Sequence, residues 1–168
     1  MTAITTSRVE LIRPRWQAIV MVALIFWLSG SLIIDLVIMP SFFVSGMMTS
    51  PEFATAGNLM FWGFNRVELI CSGLVATGLM VLSNLFGDLG KRSRTAILLS
   101  LVLLAIALID TYALTPQMSA LGMQLNLFDS AAEVPADMNL LHQGYFALEA
   151  VKLAVGATLL GWCYQNQV

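Results

Sequence analysis

The run WQAIVMVALIFWLSGSLIIDLVIM, from Trp16 to Met39, decides the fold. It contains one charged residue, Asp35, follows Arg8, Arg13 and Arg15, and stops at Pro40. Crossing a hydrocarbon core of about 30 Å takes about 20 helical residues. A cleaved signal has an apolar region of only about 7 to 15 residues, closed by small side chains. Ser29-Gly30-Ser31 supplies small residues, but Leu32-Ile33-Ile34 and Leu36-Val37-Ile38 carry the apolar run past them. The run therefore reads as an uncleaved membrane helix, and Pro40 predicts its end.

Three further apolar runs follow, at about 64–86, 95–114 and 140–162. Of the 168 residues, 58% are apolar and 11% are charged, against about a quarter charged in ordinary globular domains. Too few polar side chains remain to cover a water-soluble fold. The chain is expected to be all-α, an integral membrane four-helix bundle in a single domain over 1–168. The lipid bilayer is its expected partner. The net charge of −2, with no basic tail or stripe, gives no reason to expect nucleic acid.

Two outward-facing amphipathic connector segments complete the expected fold. Ser50-Pro51-Glu52 has the residues of a helix start: a capping Ser, a Pro at the first position and an acid in the first turn. Helix from there to Phe86 would be too long for the bilayer, so 51–61 is expected to lie along the surface. Met118, Leu121, Leu125 and Phe128 repeat at helical spacing and predict an interfacial helix after Pro116. The stretch from Asp129 to Asp137 reads as an acidic loop. No internal repeat is read.

Orientation follows from the basic residues. Arg8, Arg13 and Arg15 precede the first run, and Lys91, Arg92 and Arg94 separate the second from the third. The other connectors hold Glu52, Asp129, Glu133 and Asp137. Both termini are expected in the cytoplasm, with the longer connectors outside.

Ionisable groups inside a bilayer are costly and are functional candidates by default. Here they are Asp35, Arg66, Glu68, Asp110, His142, Glu149 and Lys152, joined by the polar Asn65. Asn139, His142, Glu149 and Lys152 recur close to one face of the fourth helix and predict a polar seam turned into the bundle. Two uses are open: a pocket or relay for a cation, proton or small solute, or a structural network in an assembly subunit of a larger membrane complex. A homo-oligomer is also compatible with the sequence. Met47, Met48, Met118 and Met123, with His142, are soft donors that could hold Cu(I), but at no compact metal spacing. A lone histidine cannot supply a bis-His haem site, which leaves a His/Met pair or an intersubunit site open for haem, and no cofactor is predicted. Cys71 and Cys163 fall at different depths and read as packing residues. No nucleotide loop, nucleophile elbow or zinc motif occurs.

Several segments together resemble a known family. They are Trp16 to Met21 leading to Phe26-Trp27-Leu28-Ser29-Gly30 and Asp35-Leu36-Val37; Ala56-Gly57 with Phe64-Asn65-Arg66-Val67-Glu68; Tyr112 to Pro116; and Leu141-His142-Gln143 with Glu149. The pattern resembles the domain-of-unknown-function family 4149, which includes the transmembrane-protein-205-like proteins, and within it the cyanobacterial branch. The resemblance implies a four-helix membrane protein in a bacterial plasma membrane or thylakoid. It assigns no reaction and no catalytic residue.

Overall fold

The computed structural model describes residues 2–47, 53–86, 91–128 and 136–165, with side chains over 15–47, 53, 55–84, 92–122 and 138–165. All the regular structure in these residues is helical. Thr2–Ile33 forms α1, Met39–Val44 forms α2, Phe53–Phe86 forms α3, Lys91–Ile109 forms α4, Thr115–Phe128 forms α5 and Ala136–Tyr164 forms α6. Wide π-helical turns, Ile34–Ile38 and Asp110–Leu114, join α1 to α2 and α4 to α5. Four candidate membrane spans result: Arg15–Val44, Thr55–Asn84, Arg92–Gly122 and Met138–Tyr164.

The first and third spans are longer than the sequence suggests because neither Pro40 nor Pro116 ends its helix. A proline has no N–H to donate, and its ring crowds the carbonyl four residues back. Widening the helix by one residue relieves that conflict. The Met39 N–H bonds the Ile34 carbonyl, and the Thr115 N–H bonds the Asp110 carbonyl. Each wide bond closes one residue before its proline. The same device thus recurs in the first and third spans, an internal correspondence that hydropathy alone does not reveal.

The extended helices also change the reading of the connectors. Residues from Phe53 onward continue the second span as one uninterrupted helix with Glu68, and α5 continues the third span and packs on α3. Ser119 donates to Asn58 Oδ1 at 2.9 Å, and Asn65 donates to Thr115 Oγ1 at 2.7 Å. These segments therefore extend the bundle rather than lie flat beside it. The Ser50-Pro51-Glu52 cap, and the acidic loop up to Pro135, fall outside the described residues.

Around the bundle, α1 packs on α3 and α6, and α4 packs on the same two helices, which leaves α3 and α6 diagonal to each other. Close approach depends on three glycines. A Cβ on Gly30 would stand 2.8 Å from the Phe64 ring, one on Gly156 would stand 2.7 Å from Leu28, and one on Gly78 would collide with Val20. Small residues serve this purpose wherever membrane helices cross. Gly78→Val is expected to cost about 1–3 kcal/mol by overpacking, read as a lower unfolding temperature in detergent. Gly73→Ala is the control, since nothing lies near its Cβ position, and it should show no loss.

The interior has two halves. Toward the end that carries Arg15 and Arg92, the core is apolar: Val20, Leu24, Val75, Leu79, Ala96, Leu103, Leu159 and Cys163 are all buried. Cys71 joins this core as well, and both thiols are free. Trp27, with no exposed surface, marks the change to a polar half that extends toward Pro40 and Pro116. Outside, Ile70, Leu74, Leu98 and Val151 are among many exposed apolar side chains that suit contact with lipid.

Candidate functional site: a buried carboxylate cluster

The polar half begins with Glu68 on α3, which is 1% exposed. Its Oε1 accepts hydrogen bonds from Trp27 Nε1 at 2.7 Å, Ser31 Oγ at 3.3 Å and Lys152 Nζ at 2.5 Å. Trp27 and Ser31 stand one turn apart on α1, while Lys152 comes from α6, diagonally across the bundle. The ion pair sits near the middle of the spans Thr55–Asn84 and Met138–Tyr164, where water cannot help to solvate it. Three donors on one oxygen account for how a charge persists there.

Lys152 also forms an ion pair with Glu149 Oε2, one turn along α6. The Glu149 carboxylate receives charge from that ammonium, but neither of its oxygens accepts a well-directed hydrogen bond. Asp110, in the wide turn after α4, is 1% exposed, and neither of its carboxylate oxygens has a hydrogen-bond donor. Its backbone carbonyl is better served, since Asn65 Nδ2 donates to it at 3.3 Å. Asp35, in the wide turn after α1, is half-buried. Tyr145 donates to its Oδ1 at a long 3.5 Å, and its Oδ2 has no partner.

The structure thus brings Asp35, Glu68, Asp110, Glu149 and Lys152 into one polar interior, with Asn65 at its edge. It places Arg66 and His142 elsewhere. Arg66 is exposed on the outer face of α3 and stacks over Trp62, 3.9 Å from the ring centroid. His142 is exposed on α6, and its Nδ1 lies 2.9 Å from the Met138 carbonyl. Neither offsets charge within the cluster. Four carboxyl groups therefore share one ammonium.

The cluster divides by how well its groups are satisfied. Glu68, Lys152, Trp27 and Ser31 form a closed network. Asp35, Asp110 and Glu149 form a deficient one, and an unsatisfied buried acceptor costs about 1–3 kcal/mol, more when charged. Sequence reading identified the acids but missed Trp27, Ser31, Tyr145 as a donor, and Thr115. A legible signal existed for the first two, since Trp27 and Ser31 lie four residues apart and so share a face.

Of the candidate soft donors, Met47, Met118 and His142 are described. Met47 is exposed beyond α2 and Met118 is partly buried on α5, while Met48 and the Met123 side chain fall outside what is described. Among the described residues no three His, Cys, Asp or Glu side chains converge as metal ligands. The chain is a small four-span membrane protein with buried polar residues, and no family model, curated protein or solved structure matches it.

Proposed function

We propose that the deficient half of the cluster is an intramembrane binding site or relay, open outward, for a cation, proton or small solute. One observation carries the reading: Asp35 Oδ2, both Asp110 carboxylate oxygens and Glu149 Oε1 are buried and accept no hydrogen bond from the described residues, while Glu149 Oε2 has only its ion pair with Lys152. A purely structural network gains nothing from such groups, because apolar side chains would pack as well without the desolvation cost. The outward direction has two supports. The apolar layer from Val20 to Leu103 closes the other end, and the basic residues lie on that closed side, which the positive-inside rule assigns to the cytoplasm together with both termini.

A guest that binds the folded state raises stability by about 2.7 kcal/mol at one hundred times its Kd. The unfolding temperature of the purified protein is therefore expected to respond to pH, to a cation or to a small polar solute. Glu149→Gln should abolish most of that response. An unfolding temperature indifferent to all three would contradict the binding reading.

The closed half around Glu68 supports a second reading, an assembly or scaffold subunit of a larger membrane complex, in which the network only holds four helices in register. Extraction in mild detergent distinguishes it: a stable, specific partner at fixed stoichiometry supports a scaffold. We also propose kinship with the domain-of-unknown-function family 4149, on the strength of the Phe64–Glu68 and Leu141–Gln143 segments. A bacterial plasma membrane or thylakoid location follows from that kinship and belongs to the same proposal.

A further inference from the structure

The binding reading leaves open how a guest reaches the cluster and which sign of charge it carries. On the Asp35 side the surroundings are aromatic: Tyr145, which donates to Asp35, packs edge to face against Phe61 and Phe146, with ring centroids 5.9 Å apart in each pair. On the Asp110 side they are polar, and they follow the seam between α3 and α5.

That seam has two rungs. In the outer one, Ser119 donates to Asn58 Oδ1 at 2.9 Å. In the inner one, Asn65 Nδ2 donates to Thr115 Oγ1 at 2.7 Å and also reaches the Asp110 carbonyl at 3.3 Å. Asn58 and Asn65 stand two turns apart on one face of α3, and Thr115 and Ser119 stand one turn apart on α5. Asn58, Ser119 and Thr115 are half-buried, whereas Asn65 and Asp110 are buried. The ladder thus descends from the outer end of the bundle to a residue whose two carboxylate oxygens accept no hydrogen bond from the described residues.

Both rungs join uncharged groups, which exchange protein partners for water at little net cost. The contacts of α1 are of another kind, since Gly30, Gly78 and Gly156 bring apolar side chains of α1, α3 and α6 into close approach. A hinge also lies at the base of α5. Pro116 offers no N–H to the turn before it, and the Thr115 N–H closes the wide turn onto the Asp110 carbonyl. Helices bend most readily at such a point.

Charge along the seam selects the guest. Among the described residues α5 has no charged side chain, and α3 has none between Phe53 and Asn65. Arg66 is on the outer face, stacked over Trp62. The first charged group reached along the seam is therefore Asp110. A passage that ends on carboxylates concentrates cations and repels anions.

We propose that α5 is a hinged outer gate, and that release of the Asn58–Ser119 and Asn65–Thr115 hydrogen bonds admits a cation, the hydrated proton included, to Asp110. This rests on the intramembrane site proposed above, and it names the entrance to that site and the charge of its guest.

Thiol labelling of the full chain in nanodiscs tests the proposal. One cysteine replaces the inner rung, Thr115→Cys, and another, Tyr112→Cys, sits one turn away on the exposed face as a control. The reagents are methanethiosulfonates carrying either a trimethylammonium or a sulfonate group. Adducts are located by peptide mass, so the buried Cys71 and Cys163 stay in place. With rates scaled to those of a free thiol, Thr115→Cys should react about tenfold faster with the cationic reagent than with the anionic one. Tyr112→Cys, facing lipid, should react far more slowly with both. Asp110→Asn should remove the preference for the cation, and Asn58→Ala, which releases the outer rung, should speed the reaction at Thr115→Cys. A Thr115→Cys protein that reacts no faster than Tyr112→Cys, or equally with both reagents, overturns the proposal. So does a preference that survives Asp110→Asn. Wild-type protein gives a check that requires no variant to fold: backbone amides of α5 should exchange with deuterium faster than those of α4, and equal protection overturns the hinge. The entrance and the site fail separately. An inert Thr115→Cys beside an unfolding temperature that still responds to cations removes the gate and leaves the binding reading intact. Indifference of the wild-type unfolding temperature to pH, cations and solutes removes the binding reading, and the gate with it.

Discussion

Lys152→Met is expected to destabilise the folded bundle by about 3–5 kcal/mol, the usual cost of removing one member of a buried ion pair. The substitution preserves length and much of the volume, so packing contributes little. What it removes is the only ammonium between Glu68 and Glu149. Proton uptake by the stranded carboxylates limits the loss, since a neutral acid needs no counter-ion. The companion variant is therefore informative: Glu68→Gln combined with Lys152→Met should recover much of what Lys152→Met loses. A double-mutant cycle built on detergent unfolding curves measures the coupling. A Lys152→Met protein within 1 kcal/mol of wild type would mean that the pair does not hold the diagonal helices together.

Trp27→Ala is expected to cost about 3–5 kcal/mol, as removal of a large buried aromatic commonly does. Trp27 has no exposed surface and sits where the apolar core meets the polar half. Its loss opens a cavity there and takes one of three donors from Glu68. Trp27→Phe separates the two effects, because it retains most of the bulk and loses only the indole N–H. Its expected cost is about 1.5–3 kcal/mol, the range for hydrogen bonds to charged groups. Equal losses for Phe and Ala would place the whole contribution in the hydrogen bond, whereas a neutral Phe variant would place it in packing.

The four membrane spans are legible in hydropathy because lipid demands long apolar helices and leaves few alternatives. Helix ends are less legible. Pro40 and Pro116 read as stops under the rules for water-soluble helices, but each is accommodated by a π turn. That reading shortened the first and third spans; laying 51–61 along the surface separately shortened the second, which put Glu68 near the start of 64–86 when it lies close to the middle of Thr55–Asn84. The seam on α6 is legible from spacing as far as Glu149 and Lys152. Its outer members Asn139 and His142 are exposed, although Met138 beside them is buried. Arg66 shows the limit most clearly. Depth marks it as a candidate, yet it lies only two residues from Glu68, which on a helix means nearly opposite faces. Trp62, one turn earlier, was the available clue that Arg66 had an aromatic partner on the outside.

Pairing is the part that one sequence cannot supply. Glu68 and Lys152 are 84 residues apart, and nothing in local spacing selects that pair over Asp35 with Lys152 or Asp110 with Arg66. The choice is made by packing: Gly30, Gly78 and Gly156 let α1 approach α3 and α6 closely, which brings Trp27 and Ser31 onto Glu68. Which helices these glycines admit depends on the closed ring of four.

The central claim is that the bundle satisfies Glu68 from within and leaves Asp35, Asp110 and Glu149 for a guest from outside. The most direct test is an experimental structure of the protein in lipid nanodiscs at a resolution that shows ordered water. The expected result is Glu68 holding Trp27, Ser31 and Lys152, with water or a cation touching Asp35, Asp110 and Glu149 and connected to the outer side. A dry, closed interface in which each of those three carboxyl groups takes a donor from the protein would contradict the claim.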